Sequence, residues 1–91
     1  MAIGIYFEES KFTPQQYDQA LVKLEEAGAG SPNGRLYHVA MESDGQIHVF
    51  DIWESQDSFD AFGATLMPVL QEIGADPGRP VSSPVRNEIK A

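Results

Sequence analysis

Ile3, Ile5 and Phe7 alternate with Gly4, Tyr6 and Glu8, the two-residue period of a strand with one strongly apolar face. The period then lengthens. Thr13 is a candidate N-cap, Pro14 suits the first helical position, and Gln16 completes a Thr-x-x-Gln capping box. Phe12 and Tyr17 hold the two positions of a hydrophobic staple. Beyond them Tyr17, Ala20, Leu21, Leu24 and Ala27 recur at helical spacing as one buried stripe, with Lys23, Glu25 and Glu26 facing water. The spacing predicts a helix that ends at Gly28.

Residues 27–34 read AGAGSPNG, a loop by composition. Its glycines do not form a phosphate cradle, because such a turn follows a strand and opens a helix, whereas this one closes a helix and precedes a strand.

Two alternating segments then meet at Asp44-Gly45, a favoured two-residue hairpin turn. Counting outward pairs Ser43 with Gln46, Glu42 with Ile47, Ala40 with Val49, His38 with Asp51, and Leu36 with Trp53. The other face carries Met41 with His48, Val39 with Phe50, and Tyr37 with Ile52. Neither face is polar enough for a solvated sheet surface, so cover is expected on both sides.

A second helix opens at Ser55, with Asp57 in its first turn and Phe59, Phe62, Leu66, Leu70 and Ile73 at helical spacing. Pro68 removes a backbone donor and predicts a kink or break near Leu66-Met67, with a short second segment ending at Gly74. Asp76-Pro77-Gly78 is a turn. Val81 to Ile89 reads as a last strand, and Pro84 assigns it to an edge.

The order strand, helix, strand, strand, helix, strand closes, with right-handed crossovers, into an α+β, ferredoxin-like βαββαβ domain spanning residues 1–91. Its four-stranded antiparallel sheet has both helices on one face. An apolar bare face on the other side predicts a homodimer through the sheet. A chain of 91 residues buries only about 60–65% of its unfolded surface, which points the same way, and without cysteine no disulfide can supplement the core.

Charge narrows the partners. Fourteen acidic residues stand against six basic ones, and the basic ones are scattered, so neither nucleic acid nor an anionic membrane finds a concentrated positive field. The first ten residues do not read as a signal peptide, and no stretch approaches the roughly 20 apolar residues of a membrane span. A cytoplasmic location is the expectation.

Several strings resemble one family. Tyr37-His38-Val39-Ala40, Asp51-Ile52-Trp53-Glu54-Ser55, Phe59-Asp60-Ala61-Phe62 and Pro84-Val85-Arg86-Asn87-Glu88-Ile89 are similar to the dimeric α/β barrel superfamily, near small proteins of the antibiotic biosynthesis monooxygenase group. The resemblance implies two ferredoxin-like subunits joined through their sheets. The superfamily includes cofactor-free oxygenases, haem degraders, cyclases, decarboxylases and non-enzymatic members, and fold alone does not choose among them. Haem degraders carry an iron-ligating histidine on the second helix, and residues 55–74 contain none. Relatives often have a histidine before the asparagine of the last strand, where Arg86 stands here.

The candidate chemistry centres on His38 opposite Asp51. A carboxylate beside an imidazole fixes its tautomer and orients it as a general acid or base, although the same pair also serves structure alone. Trp53, Phe59 and Phe62 are candidates for an aromatic wall, with Tyr6 and Arg86 as further substrate contacts. The two histidines point to opposite faces, so no shared metal ion is expected, and no cofactor is called for. No G-x-S-x-G nucleophile turn is present. The leading reading is a small-molecule-binding homodimer acting as a cofactor-independent monooxygenase on an aromatic or polyketide-like substrate. The alternatives are a non-enzymatic ligand-binding or interaction module, or a cyclase or isomerase.

Overall fold

The structure, a computed structural model, describes residues 1–90, and Ala91 lies outside the described residues. Its elements follow the order β1 (Ile3–Glu8), α1 (Pro14–Glu26), β2 (Arg35–Ser43), β3 (Gln46–Trp53), α2 (Gln56–Ile73) and β4 (Arg79–Pro84). The strands form one antiparallel sheet in the order β2-β3-β1-β4. This is the ferredoxin-like α+β arrangement expected from the sequence.

Local signals explain most boundaries. Thr13 accepts from the Gln16 backbone amide while the Gln16 side chain accepts from Thr13, so the capping box closes both ways. The Phe12 and Tyr17 rings meet edge to face with centroids 5.9 Å apart. At the hairpin, Asp44 and Gly45 both take positive φ, at 54° and 74°, as a type I′ turn requires. Ser55 caps α2 by accepting from the Ser58 amide.

Both helices cover the same sheet face. Ile5 and Phe7 of β1 and Ile47 and Trp53 of β3 join Ala20 and Leu24 of α1 and Phe62, Val69 and Leu70 of α2 in one buried cluster. Trp53 is completely buried. The stripe on α1 is narrower than expected, because Leu21 and Ala27 are exposed. The helix also ends two residues before Gly28, at Glu26.

Two further expectations need correction. α2 runs unbroken through Pro68: the proline lies on the exposed side, where water can satisfy the carbonyl it frees, while Val69 and Leu70 are anchored in the core. The last strand stops at Pro84 rather than continuing to Ile89. Its edge position agrees with the two prolines that remove ladder donors.

The hairpin register matches the expected pairing from Ser43↔Gln46 to Tyr37↔Ile52, then shifts. Between Arg35 and Tyr37 lies a bulge, so Arg35, not Leu36, stands opposite Trp53. The extra residue reverses the alternation. Leu36 turns outward and is 56% exposed, forfeiting part of the about 1.5–3 kcal/mol that full burial of a leucine side chain contributes.

No element among the described residues covers the opposite sheet face. Tyr6, Tyr37, Met41 and Val81 are exposed there, beside the partly buried Val39, His48 and Phe50. Gly4 leaves room for the Phe50 ring: a Cβ on Gly4 would sit 3.4 Å from its Cζ. Among the described residues no helix is long and apolar enough to cross a membrane.

Candidate functional site

The helix-covered face brings a line of four polar groups to one place. Trp53 Nε1 donates to Asp51 Oδ2 at 3.2 Å. Asp51 Oδ1 lies 2.6 Å from His38 Nδ1, and His38 Nε2 lies 2.7 Å from the Tyr17 hydroxyl. β3 supplies Trp53 and Asp51 at alternate positions, β2 supplies His38 by cross-strand pairing, and α1 supplies Tyr17 from its first turns.

This geometry assigns the protons. Asp51 is buried and both of its oxygens are occupied, so Nδ1 of His38 carries the proton that the carboxylate accepts. A neutral imidazole then presents Nε2 as an acceptor, and the Tyr17 O–H donates to it. Burial pushes the Tyr17 phenol above its ordinary pKa; Arg35 pulls against that rise, while Asp51 and Asp18 add to it. The protonated donor form is the one favoured. The Tyr17 and His38 ring planes lie 2° apart with centroids separated by 6.1 Å, so the rings sit end to end rather than face to face.

Tyr17, His38 and Asp51 line a cavity of about 60 Å³ between the sheet and the helices. Phe7, Phe12, Leu66 and Phe62 are among its apolar walls. The His38 side chain is 23% exposed, so the imidazole is reached from outside the core. Arg35 also lines the cavity, its guanidinium carbon 5.9 Å from the centre of the Phe62 ring. Among the described residues no group of three or more His, Asp or Glu side chains is placed to hold a metal ion.

Of the residues singled out in the sequence, His38, Asp51 and Phe62 meet at this cavity. Trp53 is held behind it as the second partner of Asp51. Phe59 packs on Trp53 and Phe7, with ring centroids 5.6 and 6.2 Å away, within the core. Tyr6 lies on the opposite sheet face, and Arg86 is exposed beyond the end of β4. Neither reaches the cavity. Tyr17 and Arg35 are the residues that sequence reasoning missed. The staple position of Tyr17 held a signal, since a tyrosine anchored by its ring against a sheet needs a partner for its hydroxyl.

No family model matches the chain, and no curated protein matches it. Solved structures do. A candidate antibiotic biosynthesis monooxygenase from Chloroflexus aurantiacus superposes with a TM-score of 0.63 at 21% identity, covering 97% of each chain. SnoaB, a cofactor-independent oxygenase from Streptomyces nogalater, gives 0.61 at 11% identity, over 99% of this chain and 95% of its own. A candidate antibiotic biosynthesis monooxygenase from Caulobacter crescentus gives 0.60 at 19% identity, over 90% and 85%. At these identities the likeness is one of fold, and the chain has the ferredoxin-like fold of antibiotic biosynthesis monooxygenase-like proteins.

Proposed function

We propose that this protein is a homodimer joined through its open sheet faces, in which each subunit binds a small phenolic molecule in the cavity beside His38 and oxidises it with molecular oxygen. The observation that carries the reading is the line Asp51, His38, Tyr17 ending at the wall of an apolar cavity. The fold shared with a cofactor-independent oxygenase supports it.

The chemistry needs a base, a dry pocket and oxygen. A phenol with a free ring carbon para to its hydroxyl passes its proton to the Tyr17 oxygen as the Tyr17 proton moves to His38 Nε2. The imidazolium that results lies against the Asp51 carboxylate, which stabilises it. The phenolate, its oxygen end held among the apolar walls, gives one electron to oxygen, and the radical pair combines through a carbon–oxygen bond. The imidazolium proton returns to the peroxide. Loss of water, using the ring C–H proton and the outer oxygen, leaves the inner oxygen as a carbonyl. One oxygen molecule and one phenol give one quinone and one water.

A second reading has its own observation. Both Asp51 oxygens are occupied and Tyr17 ties α1 to the sheet through His38, an arrangement that also suits a latch in a non-enzymatic ligand-binding module. A cyclase or isomerase would use the same acid–base pair without consuming oxygen.

An oxygen electrode separates them. With a panel of single-ring and polycyclic phenols and no added metal or cofactor, the wild type consumes oxygen with at least one, and His38→Ala slows uptake by about 10²- to 10⁴-fold. Undiminished uptake in His38→Ala removes His38 from the mechanism.

A further inference from the structure

The bulge at the start of β2 does something that regular pairing would not. An unbroken ladder would turn Leu36 toward the helices, opposite Trp53, and would leave Arg35 on the other face. The register shift between Arg35 and Tyr37 exchanges them. A leucine that could have sealed the apolar cavity is exposed, and an arginine takes its place in the wall. Bulges of this kind re-aim side chains beside functional sites.

The arginine, which is partly buried, has few protein partners where it stands. Its only side-chain hydrogen bond among the described residues is from Nη2 to the Gly30 carbonyl, at 3.4 Å, the outer limit for such a bond. No carboxylate lies within 4.0 Å of it among the described residues, whose ion pairs are Lys23–Glu72 and Arg79–Glu8 and whose Asp51 is taken by His38. Most of its five N–H donors therefore have no protein partner among the described residues, in a wall that is apolar apart from Tyr17, His38 and Asp51. A planar guanidinium matches a carboxylate through two parallel hydrogen bonds.

Size limits what that carboxylate can be attached to. Apolar protein cavities of about 150 Å³ accept a benzene ring, and sites enclosing drug-sized ligands run to about 300–1,000 Å³. A cavity of about 60 Å³ holds part of one ring, with the remainder toward solvent past the exposed Leu21. It does not enclose a fused-ring system.

We infer that Arg35, turned inward by the bulge, is the anion-recognition residue of this cavity, and that the ligand is a single-ring phenol bearing a carboxylate, held by Arg35 at the acid group and by Tyr17 at the hydroxyl. The ring lies along Phe62, which Arg35 already faces. This rests on the phenol-binding reading above and adds the charge and size of the molecule.

Calorimetric titration of the intact protein with meta-hydroxybenzoate, whose ring carbon para to the hydroxyl is free, and with its neutral counterpart meta-hydroxybenzamide tests it without any turnover. The carboxylate binds about tenfold or more tightly than the amide, as one charge-assisted pair warrants, and the preference shrinks as salt is raised. In Arg35→Gln the ratio falls to about one while amide affinity is kept, and Arg35→Lys restores part of it. Equal affinities in the wild type, a ratio that survives in folded Arg35→Gln, or no binding of either compound overturns the inference. The wild-type comparison decides the matter even if the Arg35 variants fail to fold. A protein that prefers the carboxylate yet consumes no oxygen sinks the oxygenase reading alone, and one that oxidises phenols while favouring the amide sinks this inference alone.

Discussion

The Tyr17 hydroxyl lies 2.7 Å from Nε2 of His38, and the two ring planes differ by 2°. A residue on α1 thus completes a hydrogen-bonded line of side chains that begins on β3. Tyr17→Phe removes only the hydroxyl and leaves the staple against Phe12, so the cost in stability is about 0.5–1.5 kcal/mol, the net value of one hydrogen bond. Turnover falls further, by about 100-fold, the lower end of general acid–base effects. Denaturation curves and initial rates on the same preparation measure both. A rate loss no larger than the stability change implies would make Tyr17 a structural tie.

Alkaline pH reads the same hydroxyl independently. The Tyr17 pKa in the folded protein is raised, chiefly by burial, so between the unfolded and folded values the folded state holds more protons than the unfolded one. Stability then falls as pH rises. The contribution is fully present below a pH of about 10, the unfolded value, and is lost as pH climbs through the higher folded value. Urea denaturation from pH 8 upward shows a steeper alkaline decline in the wild type than in Tyr17→Phe. Identical declines would contradict the partly buried, protonated phenol.

Asp51→Asn separates orientation from packing. Asparagine keeps one accepting oxygen but offers an amide where the second should be, facing either the Trp53 N–H or His38. If the amide faces Trp53, two donors confront each other; if it faces His38, the imidazole must switch tautomer and Nε2 becomes a donor. The expected loss is about 1–3 kcal/mol of stability for the unmade buried hydrogen bond. A histidine forced into the wrong tautomer also loses about 10⁴ in rate. Nitrogen NMR of His38 follows the proton directly. An unchanged spectrum with unchanged turnover would deny Asp51 its orienting role.

The open sheet face makes a separate claim. Val39 lies between Tyr37 and Met41 on that face, and Val39→Asp would bury an unpaired carboxylate in the proposed subunit interface. The dimer weakens by more than about 100-fold, equivalent to about 3 kcal/mol. Sedimentation velocity at micromolar concentration shows two chains for the wild type and one for the variant. A wild type that sediments as one chain would end the dimer proposal.

Legibility in the sequence followed the range of the interactions. The α1 start could be read because its capping box lies within four residues, and the hairpin because Asp44 and Gly45 accept the positive φ of their turn. Pairing of His38 with Asp51 then followed by counting. The count failed at Leu36, where a bulge beside a loop leaves no local mark and reverses every face beyond it. Pro68 misled because its effect depends on which side of α2 meets water, a tertiary fact. Tyr17 was placed correctly on its helix, but its partner lies 21 residues away on a strand, and only the packing of α1 on the sheet brings them together.

The central claim is that this cavity inserts oxygen into a phenol through the Tyr17–His38–Asp51 line. Mass spectrometry of the product formed under heavy-isotope oxygen gas tests it most directly, in wild type and His38→Ala side by side. The account predicts a product carrying one labelled oxygen atom from the wild type and almost none from His38→Ala over the same time. A wild-type product with no label, or equal labelling in the variant, would contradict it.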